Sequence, residues 1–228
     1  MQFYRLLLYL ECYTSLNPKQ HKMLSRILMQ KIALSLILAF GLAQANCSFS
    51  QPSEVDVTWT AFKTPLKKGV SGHFKEVNYS SSVKSSKTLN DLLAGSTVDI
   101  DISSVDSKNP GRDQKLLNSF FKKMTGPDIK ARIISLKRDK DARKRGLATV
   151  SVTMNGVTRE VPMPYSFSNG TLIAKGVIDL SDFNATPALQ SINKACYALH
   201  QGKTWSDVNI GFSMKISASC PQPLKGHQ

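Results

Sequence analysis

Residues 146–180 read GLATVSVTMNGVTREVPMPYSFSNGTLIAKGVIDL. Ala148, Val150, Val152 and Met154 take every second place, then Val157, Val161, Met163, Tyr165 and Phe167 on a second run, then Leu172, Ala174, Gly176, Ile178 and Leu180 on a third. A period of two puts each set on one face of a β-strand. Asn155-Gly156 and Asn169-Gly170 separate the runs, and Asn-Gly supplies the positive φ angles that a tight hairpin turn needs. The stretch is an antiparallel meander with one apolar face.

The same alternation recurs outward in both directions. Val55, Val57, Trp59 and Ala61 open the pattern, Val98, Ile100 and Ile102 continue it, and Val208, Ile210, Phe212, Met214 and Ile216 end it. With Val70–Tyr79 and Ile129–Lys137 this makes eight strands, long against the usual 5–6 residues or so. Long antiparallel strands with one apolar face hide their edges by closing. The expected fold class is all-β: an antiparallel up-and-down eight-stranded barrel with two helical inserts.

In Asn109-Pro110-Gly111-Arg112-Asp113, Asn caps, Pro suits the first helical position and Asp favours the positive end. Leu116, Leu117, Phe120, Phe121 and Met124 then form one apolar face opposite Arg112, Lys115, Lys122 and Lys123. Thr186-Pro187 opens the second helix, with Leu189, Ile192, Cys196 and Leu199 on one stripe and Gly202 beyond its end. A shorter helical turn fits around Leu89 to Ala94.

The chain has 228 residues, 41% hydrophobic and 20% charged, which excludes a disordered or multi-spanning protein. Lys31, the eleven apolar residues Ile32 to Leu42 and the small-x-small site Ala43-Gln44-Ala45 read as a secretory signal starting at Met23 or Met29 and cut after Ala45. The apolar run is too short for a span of about 20 residues. Residues 1–22 fit neither signal nor domain and read as a mis-assigned start. Residues 46–228 remain as one domain, destined for the periplasm or for secretion. Trimming 1–45 removes five basic side chains and one acid from the formal +14, leaving +10. Six of the remaining cations crowd into Lys137–Arg145, which has no aromatic interleaved for base stacking and sits where a solvated hairpin loop belongs; nucleic acid is not expected, and an anionic membrane face, met together with the basic face of the 110–124 helix, is a candidate contact.

The inward positions mix small residues with large ones: Ala61, Gly72, Ala148, Ala174 and Gly176 beside Trp59, Phe74, Met163, Tyr165 and Phe212. Alternation shows burial but does not separate a packed interior from a tube. Several stretches add a resemblance. They are Val57-Thr58-Trp59-Thr60-Ala61-Phe62-Lys63, Gly69–Phe74, Ser104-Val105-Asp106-Ser107-Lys108-Asn109-Pro110-Gly111-Arg112-Asp113 leading to Phe120-Phe121, and Met154-Asn155-Gly156-Val157-Thr158-Arg159. Together they resemble the YceI-like family from about Val55 to Ile216; Ile192–Tyr197, Gly202–Val208 and the Trp-Thr-Ala-Phe-Lys opening look like a divergent subset of it.

The resemblance implies an exported, lipocalin-like barrel that holds a long apolar or amphiphilic lipid: a polyisoprenoid, an isoprenoid quinone or a fatty chain. The expected ligand-binding wall is Trp59, Phe74, Met163, Tyr165, Ala174, Gly176 and Phe212, with Arg112 and Asp113 as head-group contacts. No catalytic residue, cofactor or metal is expected. The chain carries no Gly-x-Ser-x-Gly elbow, His-Glu-x-x-His or phosphate loop. Cys196 and His200, four apart on a helix, are the competing candidates for a metal or thiol site, and a solid barrel used for protein interaction is the other alternative. Three cysteines follow the cleavage site. Cys47 precedes the first strand and Cys220 follows the last, strands that are neighbours in such a barrel, so Cys47–Cys220 is the preferred bridge and Cys196–Cys220 the alternative.

Overall fold

Local alternation becomes a continuous ladder in the computed structural model, which describes residues 47–220 except 53, 143 and 201, and not the side chain of His200. The expected signal, cleavage site and N-terminal extension lie outside the described residues. The strands are β1 (Ser48–Ser50), β2 (Val55–Lys63), β3 (Lys68–Phe74), β4 (Val77–Ser80), β5 (Ser85–Ser86), β6 (Thr97–Asp101), β7 (Val105–Asp106), β8 (Asp128–Arg138), β9 (Arg145–Met154), β10 (Val157–Ser168), β11 (Thr171–Asp179), β12 (Thr204–Lys215) and β13 (Ser217–Ser219). The helices are α1 (Leu89–Leu93), α2 (Pro110–Ser119), α3 (Thr186–Ala195) and α4 (Tyr197–His200).

One antiparallel sheet runs β4-β6-β8-β9-β10-β11-β12-β2-β3-β7. The eight expected strands are all in it, in up-and-down order. Val70–Tyr79 is broken rather than continuous: β3 pairs with β2, Lys68 opposite Lys63 through His73 opposite Thr58, and β4 pairs with β6, Val77 opposite Ile100. Phase explains the break. Phe74 faces in and Val77 faces in, so Lys75 and Glu76 stand outward in succession and the period of two slips by one. The partner strand slips likewise through a 3-10 turn at Ile102–Ser104, after which β7 returns to β3. The sheet therefore curls until both of its ends share the Lys68–Ser80 run.

Turns alternate between two ends. At one end are the β2–β3 turn, α2, Asn155-Gly156, and α3 with α4; Thr125 N–H donates to Asn155 Oδ1 at 2.7 Å and Asn155 Nδ2 donates to the Phe183 carbonyl at 2.9 Å. Asn155 and Asn169 adopt φ 53° and 51°, as their hairpins require. The other end is stoppered. Leu92 and Leu93 of α1 are fully buried there, and Gln51 Nε2 donates to Ser81 Oγ and the Leu92 carbonyl. The Tyr79 hydroxyl joins Gln51 and Ser96, and burial pushes its phenol pKa up. β1 pairs with β13 and β5 across this end, closed by a Cys47–Cys220 disulfide, while Cys196 is free and buried.

Two expectations change. The second helix does not carry its stripe to Leu199. It ends at Cys196 (φ −108°, ψ 8°), and α4 follows as a separate short helix with Leu199 68% exposed. The Lys137–Arg145 cluster is on the β8–β9 hairpin, at the stoppered end, because β8 runs away from α2; Phe167 N–H donates to the Lys144 carbonyl there. It is not on the side of the cationic helix.

Alkylation of exported protein without reduction is expected to modify one thiol per chain, and three after reduction, read by intact mass. Replacing Cys47 and Cys220 with Ser should lower unfolding free energy by about 2–4 kcal/mol in a denaturant titration.

Candidate functional site

Trp59 decides the interior. Its neighbour across the ladder is Gly72, where an added Cβ would stand 2.4 Å from Trp59 Cζ2 and 2.7 Å from the Asp106 carbonyl oxygen. Only glycine lets the indole lie flat against β3. Trp59 then lines three spaces that matter for the interior. A deep chamber of about 110 Å³ runs toward the stopper between Val57, Phe74, Val150, Met163 and Phe212. A throat of about 120 Å³ lies under α2 and α3, walled by Ala61, Leu116, Phe120, Ile192 and Ile210. A mouth of about 390 Å³ opens between β2, β3 and the helices, with Arg112, Lys115 and Cys196 among its walls. The walls of chamber and throat are apolar. Trp59 Nε1 is buried beside them with no hydrogen-bond partner among the described residues.

Of the expected wall, Trp59, Phe74, Met163 and Phe212 converge on the deep chamber. Tyr165, Ala174 and Gly176 stand apart from it. Tyr165 faces Gly146, where a Cβ would meet its ring at 2.6 Å, Ala174 pairs with Tyr165 in the ladder, and a Cβ on Gly176 would meet Met163 Cγ at 2.9 Å. These three belong to packed wall nearer the stopper or behind Met163. Ala61, Leu116, Ile192 and Ile210 line the throat and were not singled out for it. The helix stripes at 116–121 and 189–192 were the available signal; what they cover is set by tertiary packing.

The Ser104–Asp113 element builds the roof. Asp106 accepts from Lys108 N–H at 2.7 Å and Lys108 Nζ at 3.0 Å, with Lys75 Nζ at 3.3 Å and His73 Nε2 at 3.7 Å. The Lys108 amide first, then the Lys108 and Lys75 ammonium groups, hold its carboxyl well below the usual carboxylate range. Asn109 Oδ1 caps α2 by accepting from Arg112 N–H at 2.9 Å, and Asp113 reaches back to accept from the Ser107 N–H at 2.9 Å and its hydroxyl. Asp113 is thus engaged in fixing the loop, whereas Arg112 lines the mouth. Cys196 also lines the mouth, and the side chain of His200 lies outside the described residues. Among the described residues no group of three or more His, Cys, Asp and Glu is placed to hold a metal.

A curled antiparallel sheet with a stoppered end, a helical roof and a deep apolar chamber defines a lipocalin-like fold. The family model for the YceI-like domain matches residues 50–217, and the chain belongs to the YceI-like family. Among solved structures, it is similar to BcnA of Burkholderia cenocepacia, at 16% identity and a TM-score of 0.51 over 74% of this chain and 99% of that one. It is also similar to a polyisoprenoid binding domain from Saccharophagus degradans implicated in plant cell wall breakdown, at 11% identity and a TM-score of 0.52 over 78% of this chain and all of that one. No curated protein matches.

Asp106→Asn should test the roof by pH. A carboxyl held low stabilises the fold fully above the ordinary carboxylate pKa and loses that contribution as pH falls toward its own lower value. The melting temperature of the variant should lie below the parent's at pH 7, and the gap should narrow progressively below pH 4 or so.

Proposed function

We propose that the protein is an exported, non-enzymatic carrier that holds one long apolar or amphiphilic chain, a polyisoprenoid, an isoprenoid quinone or a fatty chain, in the mouth, throat and deep chamber. The observation that carries this reading is the run of apolar spaces that share Trp59, with the stopper at one end and the mouth at the other. The similarity to a polyisoprenoid binding domain supports the same ligand class. Export fits the Cys47–Cys220 bridge, which persists in oxidising compartments, and a periplasmic location fits the family.

The physics is that of apolar burial with one polar end. Each buried methylene contributes about 0.8 kcal/mol, so roughly ten of them match the 8 kcal/mol of a micromolar complex before association costs are met. Chamber and throat are each smaller than the roughly 300–1,000 Å³ of ligand pockets, while the mouth falls within that range. A slim, flexible chain suits such a path and a rigid polycyclic body does not. Arg112 and Lys115 at the mouth suit a head with acceptor oxygens.

The experiment is native mass spectrometry with lipid extraction on protein taken from the envelope of its own host, followed by titration with a polyprenol and a quinone. A co-purifying chain is the expected result. An empty protein that refuses both probes sinks the reading in favour of a solid barrel. Ala61→Phe, which adds bulk where mouth and throat meet, is expected to weaken probe binding at least about tenfold while costing no more than the roughly 1–3 kcal/mol of an overpacked core.

A further inference from the structure

Beside the mouth, three large apolar side chains are held out in water. Leu66 is 92% exposed, Tyr197 70% and Leu199 68%. Scattered exposed hydrophobics need no explanation, but these share one open groove between the β2–β3 turn and α4, and Leu199 lines both that groove and the mouth.

The turn that presents Leu66 is built. Thr64 and Lys67 both adopt left-handed backbone, φ 64° and 53°, which is costly for a β-branched residue and persists only where the surroundings impose it. The surroundings do so here: Thr64 N–H donates to the Lys203 carbonyl at 2.9 Å, Trp205 Nε1–H donates to the Thr64 carbonyl at 2.9 Å, and Lys67 N–H returns to the same carbonyl at 3.1 Å. Lys67 Nζ pairs with Asp207 at 2.7 Å and lies over the rings of Phe62 and Trp205 at 5.2 and 5.1 Å. A loop clamped from three sides keeps its leucine pointing outward.

Charge names the partner. The segments that frame the mouth and groove, residues 62–68, 109–116 and 194–205, carry seven Lys or Arg and one acid, Asp113, which is engaged by Ser107; Asp207, just beyond them, offsets Lys67 alone. Apolar tips within a ring of cations complement an anionic bilayer: tips enter the headgroup and acyl boundary while cations meet phosphates. We propose that this end docks reversibly on anionic lipid bilayers through Leu66, Tyr197 and Leu199, turning the mouth toward the membrane. The inference deepens the carrier reading, since a ligand passing between bilayer and barrel then need not cross water. It assigns docking to the end opposite the Lys137–Arg145 hairpin, whose charge has no such apolar tips in its turn.

The test is co-sedimentation of exported, processed protein with vesicles of phosphatidylcholine alone or mixed with phosphatidylglycerol, neither containing an isoprenoid. Binding to the mixed vesicles is expected, weaker at high salt and on phosphatidylcholine. Leu66→Glu with Tyr197→Glu should weaken it at least about tenfold, with melting temperature and polyprenol uptake unchanged because both side chains are outside core and cavity. Lys140→Glu with Lys144→Glu, on the opposite hairpin, should leave it unchanged. Docking is overturned if the parent stays in the supernatant, if the Leu66/Tyr197 variant sediments like the parent, or if the hairpin variant alone is released. A parent that sediments as expected yet refuses polyprenol would leave docking standing and sink the carrier reading, so the two fail separately.

Discussion

The Lys68–Ser80 run is hydrogen-bonded along both edges, to β2 through its first half and to the 97–106 run through its second. A flat sheet offers no strand that can serve as both of its own ends. The run can do so because the phase slip at Lys75 and Glu76 bends it, and the matching turn at Ile102–Ser104 lets its partner follow. Curl, interior and stopper are consequences of that bend. Without it Phe74 and Tyr79 would not both face inward, and the Tyr79 hydroxyl would not reach Gln51 and Ser96 to help close the far end.

Within the interior, the balance between filling and hollow is set by pairs of large and small residues across the ladder. Trp59 rests on Gly72 and Tyr165 on Gly146, so two aromatic rings lie flat against backbone. The two contacts have opposite effects. At Tyr165 the ring fills wall near the stopper; at Trp59 it stands at the junction of mouth, throat and chamber, narrowing the path at one point and leaving space on either side. The roof contributes the rest, through Leu116, Phe120 and Ile192, and its position depends on the short chain of contacts from Asp106 to Lys108 and from Asp113 to Ser107.

Much of this was legible in residue order. Period-two alternation and two Asn-Gly turns gave the strand order, and cysteines flanking the first and last strands gave the bridge. Four of seven expected wall residues converge because inward alternation is a sound guide to the face. It is a poor guide to depth: Tyr165, Ala174 and Gly176 face inward but meet packed neighbours, and only the tertiary fit of Met163 against Gly176 decides that. Leu199 failed for a related reason. A helical stripe was extended past Cys196, where the backbone leaves helical geometry, and a residue read as core became one of the most exposed. Charge order along the chain does not say which end a cluster occupies: strand direction puts the Lys137–Arg145 hairpin at the end opposite the cationic helix.

One feature of the ladder bears on how the chain reaches this state. Val57 of β2 pairs with Phe212 of β12, a contact 155 residues apart in the chain. Meanders such as β8–β11 form from near neighbours, but the seam between first and last long strands closes a loop of nearly the entire domain, and contacts of such high sequence separation form slowly. Until β12 has emerged, β2 has a bare edge and the barrel has no inside. Local hairpins precede it, so the last long strand to leave the ribosome is also the one that completes the enclosure.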